Sequence, residues 1–258
     1  MTRRNTLKTR LQSGETIAAA WLDLGSPDVA ELLVHAGWDV VVVDCEHGTA
    51  AIDQAIPLIR AIEAAGGVAV LRVPDGSDTV LKRALDRGAH SLMVPMVQNA
   101  EMARTIAQSC LYPPRGQRGY AAPILRASGY GAVTDYARDR AHDELLLMVQ
   151  IEHVDAIEEI PHMAAVDGVD MIFIGPNDLA ASMGHLENMD HPEVIAAIKR
   201  AEMLAQEAGV MLGTVLWSDR TYRSLDQAGY KLVVGACDVA MLANAAREAR
   251  VAAASMLA

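Results

Sequence analysis

Short apolar runs alternate along the chain with segments whose apolar residues recur at helical spacing. Eight stretches carry the strand pattern: residues 16–22, 39–43, 68–73, 91–94, 145–151, 171–174, 210–213 and 232–234. Val40-Val41-Val42-Val43 and Met171-Ile172-Phe173-Ile174 are apolar at every position, as strands of a parallel sheet covered on both faces are. Between the runs, residues 28–35, 53–65, 78–87, 100–109, 154–164 and 219–228 show helical periodicity, and 192–206 follows a start at His191-Pro192-Glu193 with proline in the first turn. Gly37 and Gly66 stand where the left-handed residue that ends a helix is needed. Eight strand-helix units predict the α/β class and a (β/α)8 TIM barrel, and a chain of 258 residues is the right size for one such domain spanning 1–258.

Two stretches break the rhythm. Residues 112–136 are rich in Gly, Pro, Arg and Tyr, and a long irregular segment in a compact domain is more often a functional loop than a linker, so it is expected to cover the mouth of the barrel. The tail, 238–258, has an Ala- and Met-rich helical pattern carrying Val239, Met241, Leu242, Val251, Met256 and Leu257. That face is too apolar to remain in water and needs a partner surface.

Composition narrows the function. The chain is 52% hydrophobic, yet no uninterrupted apolar stretch reaches the roughly 18–20 residues that cross a bilayer. Met1-Thr2-Arg3-Arg4 has a basic start without the hydrophobic block of a secretory signal, so a soluble, cytoplasmic protein without a membrane partner is expected. Cys45, Cys110 and Cys237 have no CxxC spacing, which predicts free thiols. A formal net charge of -11, with no basic stripe, argues against a nucleic-acid partner.

The chemistry-bearing residues gather just after the apolar runs, where parallel α/β folds place their active sites. Asp44-Cys45-Glu46-His47-Gly48 follows the second run, Gln150-Ile151-Glu152 closes the fifth, and Gly175-Pro176-Asn177-Asp178 follows the sixth. Glu152 and Asp178 suit a hard divalent ion such as Mg²⁺ or Mn²⁺, with a chelating substrate filling the remaining positions. Equally, Glu152 could end a strand and Asp178 cap a short helix over 179–183. His47 is a candidate general base or acid, with Asp44 three residues earlier placed to orient its ring, although a lone histidine after a strand is usually a loop residue. Arg72, which ends the third run, could hold a carboxylate or a developing enolate oxygen, or form a structural ion pair with Asp44, Glu46 or Asp86; both roles can coexist. The N–H groups at 175–178 offer a seat for a small carboxylate. Cys45 reads as a packing residue. No lysine stands at a clear strand end, which disfavours a Schiff base.

The order of motifs resembles the HpcH/HpaI family of class II, metal-dependent pyruvate aldolases. Those motifs are Trp21, Ser26-Pro27, Ala36-Gly37-Trp38-Asp39, Asp44-Cys45-Glu46-His47, Val94-Pro95-Met96-Val97, Tyr112-Pro113-Pro114-Arg115-Gly116, Arg118-Gly119, Arg126-Ala127-Ser128, Gln150-Ile151-Glu152, Phe173 to Leu179 and His191-Pro192-Glu193-Val194. The resemblance implies a divalent ion (Mg²⁺ or Mn²⁺, with Co²⁺ also compatible) on Glu152 and Asp178, chelated by a pyruvate-like 2-oxo acid. It implies proton transfer by His47 supported by Asp44, and stabilisation of a metal-bound enolate by Arg72. Trp21, Gln150, Gly175, Pro176 and Asn177 would line the substrate, with Gln150 and Asp86 as supports behind the ligands. The implied reaction is reversible aldol cleavage or addition between pyruvate, or a 2-oxo acid such as hydroxypyruvate, and an aldehyde. The alternative is oxaloacetate decarboxylation or another carbon–carbon bond-forming reaction through the same enolate, and a binding module without catalysis is the reading from a different class. The resemblance further implies that the last helix, 238–258, is exchanged between subunits of a homo-oligomer, a hexamer built as a dimer of trimers. Many family members have Gly and Ala where this chain has Cys45 and Gly48, and Ala in place of Asn177, which bears on the substrate and leaves the metal ligands intact.

Overall fold

In the computed structural model, which describes residues 4–257, eight parallel strands close into a barrel in sequence order, β8 returning to pair with β1. The elements are α1 (Thr6–Gln12), β1 (Ile17–Leu22), α2 (Pro27–His35), β2 (Val40–Asp44), α3 (Ala55–Ala64), β3 (Val68–Arg72), α4 (Asp78–Asp86), β4 (Ser91–Val94) and α5 (Ala100–Cys110). They continue with α6 (Ala141–Asp143), β5 (Leu146–Ile151), α7 (Ile160–Ala164), β6 (Met171–Ile174), α8 (Pro176–Ser182), α9 (Pro192–Glu207), β7 (Met211–Val215), α10 (Tyr222–Gln227), β8 (Tyr230–Cys237) and α11 (Asp238–Leu257). Met1 to Arg3 and Ala258, the two ends of the expected domain, lie outside the described residues, as does the side chain of Leu257.

The alternation of side chains along each strand splits the core in two. Val40 and Val42, Val70, Met93, Leu146 and Met148, and Met171 and Phe173 point into the barrel, whereas Val41 and Val43, Leu71, Leu92 and Val94, Leu147 and Val149, and Ile172 and Ile174 pack outward against the helices. This division explains why the runs are apolar throughout. It also fixes what comes next along each strand: Asp44, Arg72 and Gln150 continue the inward-facing positions and therefore converge on the axis at the C-terminal rim.

The N-terminal end is closed by α1, a helix the periodicity reading did not identify. Leu7 and Leu11, one helical turn apart, join the interior cluster of the barrel. Asn5 caps the helix by accepting from the Lys8 amide, and its side-chain amide donates to Ser91 Oγ and to the carbonyls of His90 and Glu144.

Several expected boundaries move for local reasons. The helix over 154–164 is a 3-10 turn at Val154–Ala156 followed by α7, because Pro161 suits only a first turn. The helix over 219–228 begins at Tyr222, since Thr221 caps it by accepting from the Ser224 amide. Asp178 is not the cap of a helix over 179–183: α8 starts at Pro176 with Gly175 at its N-cap.

The segment 112–136 does not cover the mouth. It follows a helix, so it lies at the N-terminal end of the strands, opposite the rim where Asp44 and Arg72 stand. There it packs across the last turns of α3 and α4: Arg118 pairs with Asp86 at 2.8 Å, and Arg126 pairs with Glu63 at 2.7 Å and donates to the Arg87 carbonyl. Tyr112, Ala122, Ala127, Tyr136 and Ala141 give it a small core of its own.

Inside the barrel, Phe173 on β6 stands in register with Gly213 on β7. A Cβ at Gly213 would lie 2.6 Å from the Phe173 ring and 2.8 Å from Met171 Sδ, so the ring needs the missing side chain opposite it. Gly213→Ala is therefore expected to lower stability by about 1–3 kcal/mol through overpacking. Denaturant unfolding checks this, and an unchanged midpoint would mean that the interior absorbs the methyl group without strain.

Candidate active site

Asp44 and Arg72 are register partners on β2 and β3 and both face the barrel axis. Arg72 Nε donates to Asp44 Oδ1 at 2.9 Å and Nη2 to Oδ2 at 2.5 Å, a bidentate pair whose carboxylate is 1% exposed. The third nitrogen, Nη1, is 3.2 Å from Glu46 Oε2. Trp21, at the end of β1, lies under the guanidinium, 4.3 Å from ring centroid to Cζ. Burial works to raise the Asp44 carboxyl, but its hydrogen bonds and charge contact with Arg72 outweigh burial and hold it below the usual carboxylate range. Of the ion pairs open to Arg72, those to Asp44 and Glu46 form. Asp86 instead ends α4 at the far end of the barrel and binds Arg118, so it gives no support to this site within its own chain.

Asp44 does not orient the His47 ring. Its Oδ1 accepts from the backbone amides of Glu46 at 2.9 Å and His47 at 3.2 Å, which bends the chain sharply after β2. The imidazole is 69% exposed at the rim, with Nε2 3.8 Å from Glu46 Oε2. Asp44 thus sets the position of His47 through its main chain, and Glu46 is the carboxylate nearest the ring.

On the opposite wall, Glu152 follows β5 and is buried. Oε1 accepts from Gln150 Nε2 and Oε2 from the Met96 amide, both at 2.8 Å. Met96 reaches it by adopting a φ of 55°, an unfavourable angle for a methionine. Gly175 makes room, since a Cβ there would lie 2.8 Å from Glu152 Oε1. Burial pushes the Glu152 carboxyl up to about 7, and the charges of Glu46 and Asp178 push the same way against the Met96 amide and Arg72. Glu46 is also raised, by burial first, with Asp44 and Asp178 adding to it. Asp178 and Asn177 are exposed on the first turn of α8, above buried Gly175 and Pro176.

Three carboxylates, Glu46, Glu152 and Asp178, thus act on one another beside Arg72, which is shared between Asp44 and Glu46. Glu46 Oε2 is buried without a hydrogen bond, and so is Gln150 Oε1. Buried oxygens short of hydrogen-bond donors and an excess of negative charge are what a hard divalent cation neutralises, so a donor set that includes Glu152 and Asp178 fits such an ion. Elsewhere among the described residues, His185, His191 and Glu193 cluster at the start of α9. There the two rings stack at 3.6 Å, and His191 Nδ1 accepts from the Glu193 amide, so that lone pair serves the helix cap.

Cys45 is buried beside Asp44, and burial pushes its thiol up to about 12, in keeping with a packing role. The residues that the sequence reading missed are Met96, which contributes only a backbone N–H, and Asp23 with Cys237 at the ends of β1 and β8. The thiol of Cys237 meets Asp23 Oδ2 at 2.9 Å. Met96 lies in the Val94-Pro95-Met96-Val97 motif, but its backbone role leaves no mark on the side-chain pattern, and Asp23 and Cys237 come together only when β8 closes on β1.

An eight-stranded parallel barrel with a buried carboxylate–guanidinium cluster on its C-terminal rim has the architecture of a barrel enzyme. The chain belongs to the HpcH/HpaI aldolase/citrate lyase family, whose model matches residues 18–245. It is 40% identical over 243 residues to a hydroxypyruvate/pyruvate aldolase of Agrobacterium fabrum, covering 94% of this chain and 91% of that protein. A 4-hydroxy-2-oxo-heptane-1,7-dioate aldolase of Escherichia coli is 37% identical over 243 residues, covering 94% and 92%. The solved structure of an HpcH/HpaI aldolase/citrate lyase family protein from Burkholderia cenocepacia is similar with a TM-score of 0.89 and 36% identity, over 96% of this chain and 99% of that one.

The burial of the thiols gives a direct check on the integrity of the rim. Burial pushes Cys110 up to about 12 as well. Neither Cys45 nor Cys110 should react with a disulfide reagent at about pH 8 until the protein is unfolded. Rapid labelling of native Cys45 would mean that the turn after β2 opens in solution.

Proposed function

We propose that this chain is a class II aldolase that joins and cleaves a 2-oxo acid, pyruvate or hydroxypyruvate, and an aldehyde with the help of a divalent cation, Mg²⁺ or Mn²⁺, held by Glu152 and Asp178. The observation that carries the reading is the trio Glu46, Glu152 and Asp178, whose charges outnumber the guanidinium of Arg72 beside it, on the catalytic rim of a barrel of this family. The names of the aldolase relatives support the choice of a 2-oxo acid. When bound, the ion supplies Lewis-acid polarisation of the 2-oxo group, which lowers the cost of enolate formation.

The chain's own residues then have distinct tasks. Arg72, locked by Asp44 and resting on Trp21, presents a fixed cation to the 2-oxo acid and to the oxygen on which negative charge develops, with no reorganisation at the moment of reaction. Gln150 and the Met96 amide keep the Glu152 carboxylate in one orientation, and the first turn of α8 at Gly175, Pro176 and Asn177 borders the carboxylate end of the substrate. In the cleavage direction the bond between C3 and C4 of a 4-hydroxy-2-oxo acid breaks. The His47 imidazole takes the C4 hydroxyl proton as the aldehyde forms and returns a proton to C3 of the 2-oxo acid. Cys45 and Asn177, at the edge of the site, bear on which aldehyde and which 2-oxo acid fit.

The same reading includes assembly. From Val239 to Met256 nearly every residue of α11 is exposed, among them Leu242 at 61%, Val251 at 70% and Met256 at 86%. Only the start of the helix is anchored, through Asp238, which accepts from the amides of Asp23 and Leu24. An exposed apolar helix where the eighth helix of a barrel should pack supports exchange with a second copy, within a hexamer. A cytoplasmic location goes with this proposal, supported by three unpaired cysteines.

Chelation with EDTA should abolish aldol turnover, with activity restored by Mg²⁺ or Mn²⁺, whereas borohydride trapping of pyruvate on the protein would overturn the class II assignment. Glu152→Gln and Asp178→Asn should each weaken cation binding. Because Glu152 holds a proton up to about 7, cation affinity in the wild-type protein should rise as pH climbs through that value, with proton release measurable by calorimetry in two buffers. Affinity unaffected by either substitution would remove these residues from the metal site. His47→Ala should reduce turnover by about 10²- to 10⁴-fold with cation affinity retained.

Deleting the chain after Asp238 should dissociate the oligomer as well as destabilise the barrel. A full-length protein that scattered light as a stable monomer would leave α11 as a helix of its own barrel.

A further inference from the structure

Asp23 stands two residues beyond Trp21, at the next inward-facing position past the end of β1. Its main chain is clamped, because Asp238 accepts from the amides of Asp23 at 3.0 Å and Leu24 at 3.1 Å, while the Asp23 carbonyl accepts from the Thr49 amide at 2.8 Å. Its carboxyl group therefore has little freedom. One oxygen, Oδ2, accepts from the Cys237 thiol, and the carboxyl is set beside that of Asp44: Trp21 pairs with Val42 and Leu22 with Val43 across β1 and β2, so Asp23 and Asp44 are next in register and both face inward.

Two carboxyl groups set side by side can hydrogen-bond only if one of them keeps a proton, and the neighbours decide which. Asp44 faces Arg72 through two charge-assisted bonds and receives the amides of Glu46 and His47, all of which favour the carboxylate. Asp238 accepts from three backbone amides, those of Asp23, Leu24 and Val239. Asp23 faces Asp44 on β2 and Cys237 and Asp238 at the end of β8, none of them a cation, and Arg72 lies beyond Asp44. The proton belongs on Asp23.

We propose that Asp23 is a positioning residue: its protonated carboxyl donates to Asp44, and this contact, backed by the Cys237 thiol, holds Asp44 in the orientation that fixes Arg72 and the turn bearing His47. Burial acts in the same direction, raising the Asp23 carboxyl above its usual range, with the charges of Asp44 and Asp238 adding to it. Loss of the proton sets two carboxylates against each other directly behind Arg72.

The kinetic part of the test rests on the aldolase reading above, and the stability part does not. Asp23→Ala removes the contact, and Asp23→Asn keeps an N–H donor for Asp44 and a carbonyl for Cys237 but cannot titrate. Turnover, the KM for pyruvate and urea stability are measured for wild type and both variants from about pH 5 to pH 9. Asp23→Ala should lower kcat by about tenfold or more and raise the KM as Arg72 loosens, and Asp23→Asn should recover most of that loss. A group whose native pKa is raised stabilises the fold while protonated and loses that contribution as pH rises through the native value. Wild-type stability should therefore carry a component that is lost as pH rises through the native value, and Asp23→Asn should lack that component. Stability profiles of wild type and Asp23→Asn that superimpose, or an Asp23→Ala enzyme with wild-type kcat and KM, would overturn the proposal. A wild-type protein without aldol turnover would sink the functional reading and leave the stability profiles to decide the role of Asp23.

Discussion

The buried pair between Asp44 and Arg72 is the interaction on which the rest of the site depends. The two residues are direct register partners on adjacent strands, so the barrel's hydrogen-bond ladder brings a carboxylate and a guanidinium together facing the axis. Burying one charge without the other costs several kcal/mol, about 3–5 when a partner is removed, so the pair forms as a unit. Once formed, Asp44 has capacity left for the Glu46 and His47 amides. Arg72 in turn has a face for Trp21 and an edge for Glu46. One ion pair therefore sets the turn after β2, the height of His47 and the direction of the guanidinium beside the carboxylate trio.

That trio is costly in isolation. Burial pushes Glu152 up to about 7 and raises Glu46, so both side chains are held in surroundings that disfavour their charged forms. The fold tolerates this because closure of the barrel, with a continuous apolar interior and outer layer, supplies stability far from the rim. Concentrated negative charge at a partly buried site is a common arrangement where a cation and an anionic substrate are to bind together, since each then neutralises what the other leaves. The metal-dependent chemistry proposed here follows from that imbalance.

The two ends of the barrel are finished differently. The N-terminal end is sealed within the chain by Leu7 and Leu11 of α1 and overlaid at its edge by the 112–136 segment, whose Arg118 and Arg126 pair with acids on α4 and α3. The C-terminal end stays open for chemistry, and beside it α11 projects with its apolar residues exposed. Stability and function are thus divided between opposite ends of the strands, as in other barrels.

The sequence by itself determined the barrel, because side-chain alternation in strands buried on both faces leaves continuous apolar runs, and eight such runs separated by helical periods admit few architectures. It also determined that Asp44, Arg72, Gln150 and Glu152 share a rim, since strand ends and inward parity can be counted along a chain. What it left open were the partners. Arg72 had three acids within plausible reach, and only the register of β2 on β3 selected Asp44 and Glu46 while α4 carried Asp86 away. The His47 ring had a carboxylate three residues earlier, yet the tight turn spent that carboxylate on backbone amides. Residues 112–136 looked like a lid from composition, but their end of the barrel depends on strand direction. The roles of Met96, Asp23 and Cys237 were invisible because an amide held at a φ of 55°, and a thiol meeting a carboxyl across the β8–β1 seam, are properties of the folded barrel rather than of any local pattern.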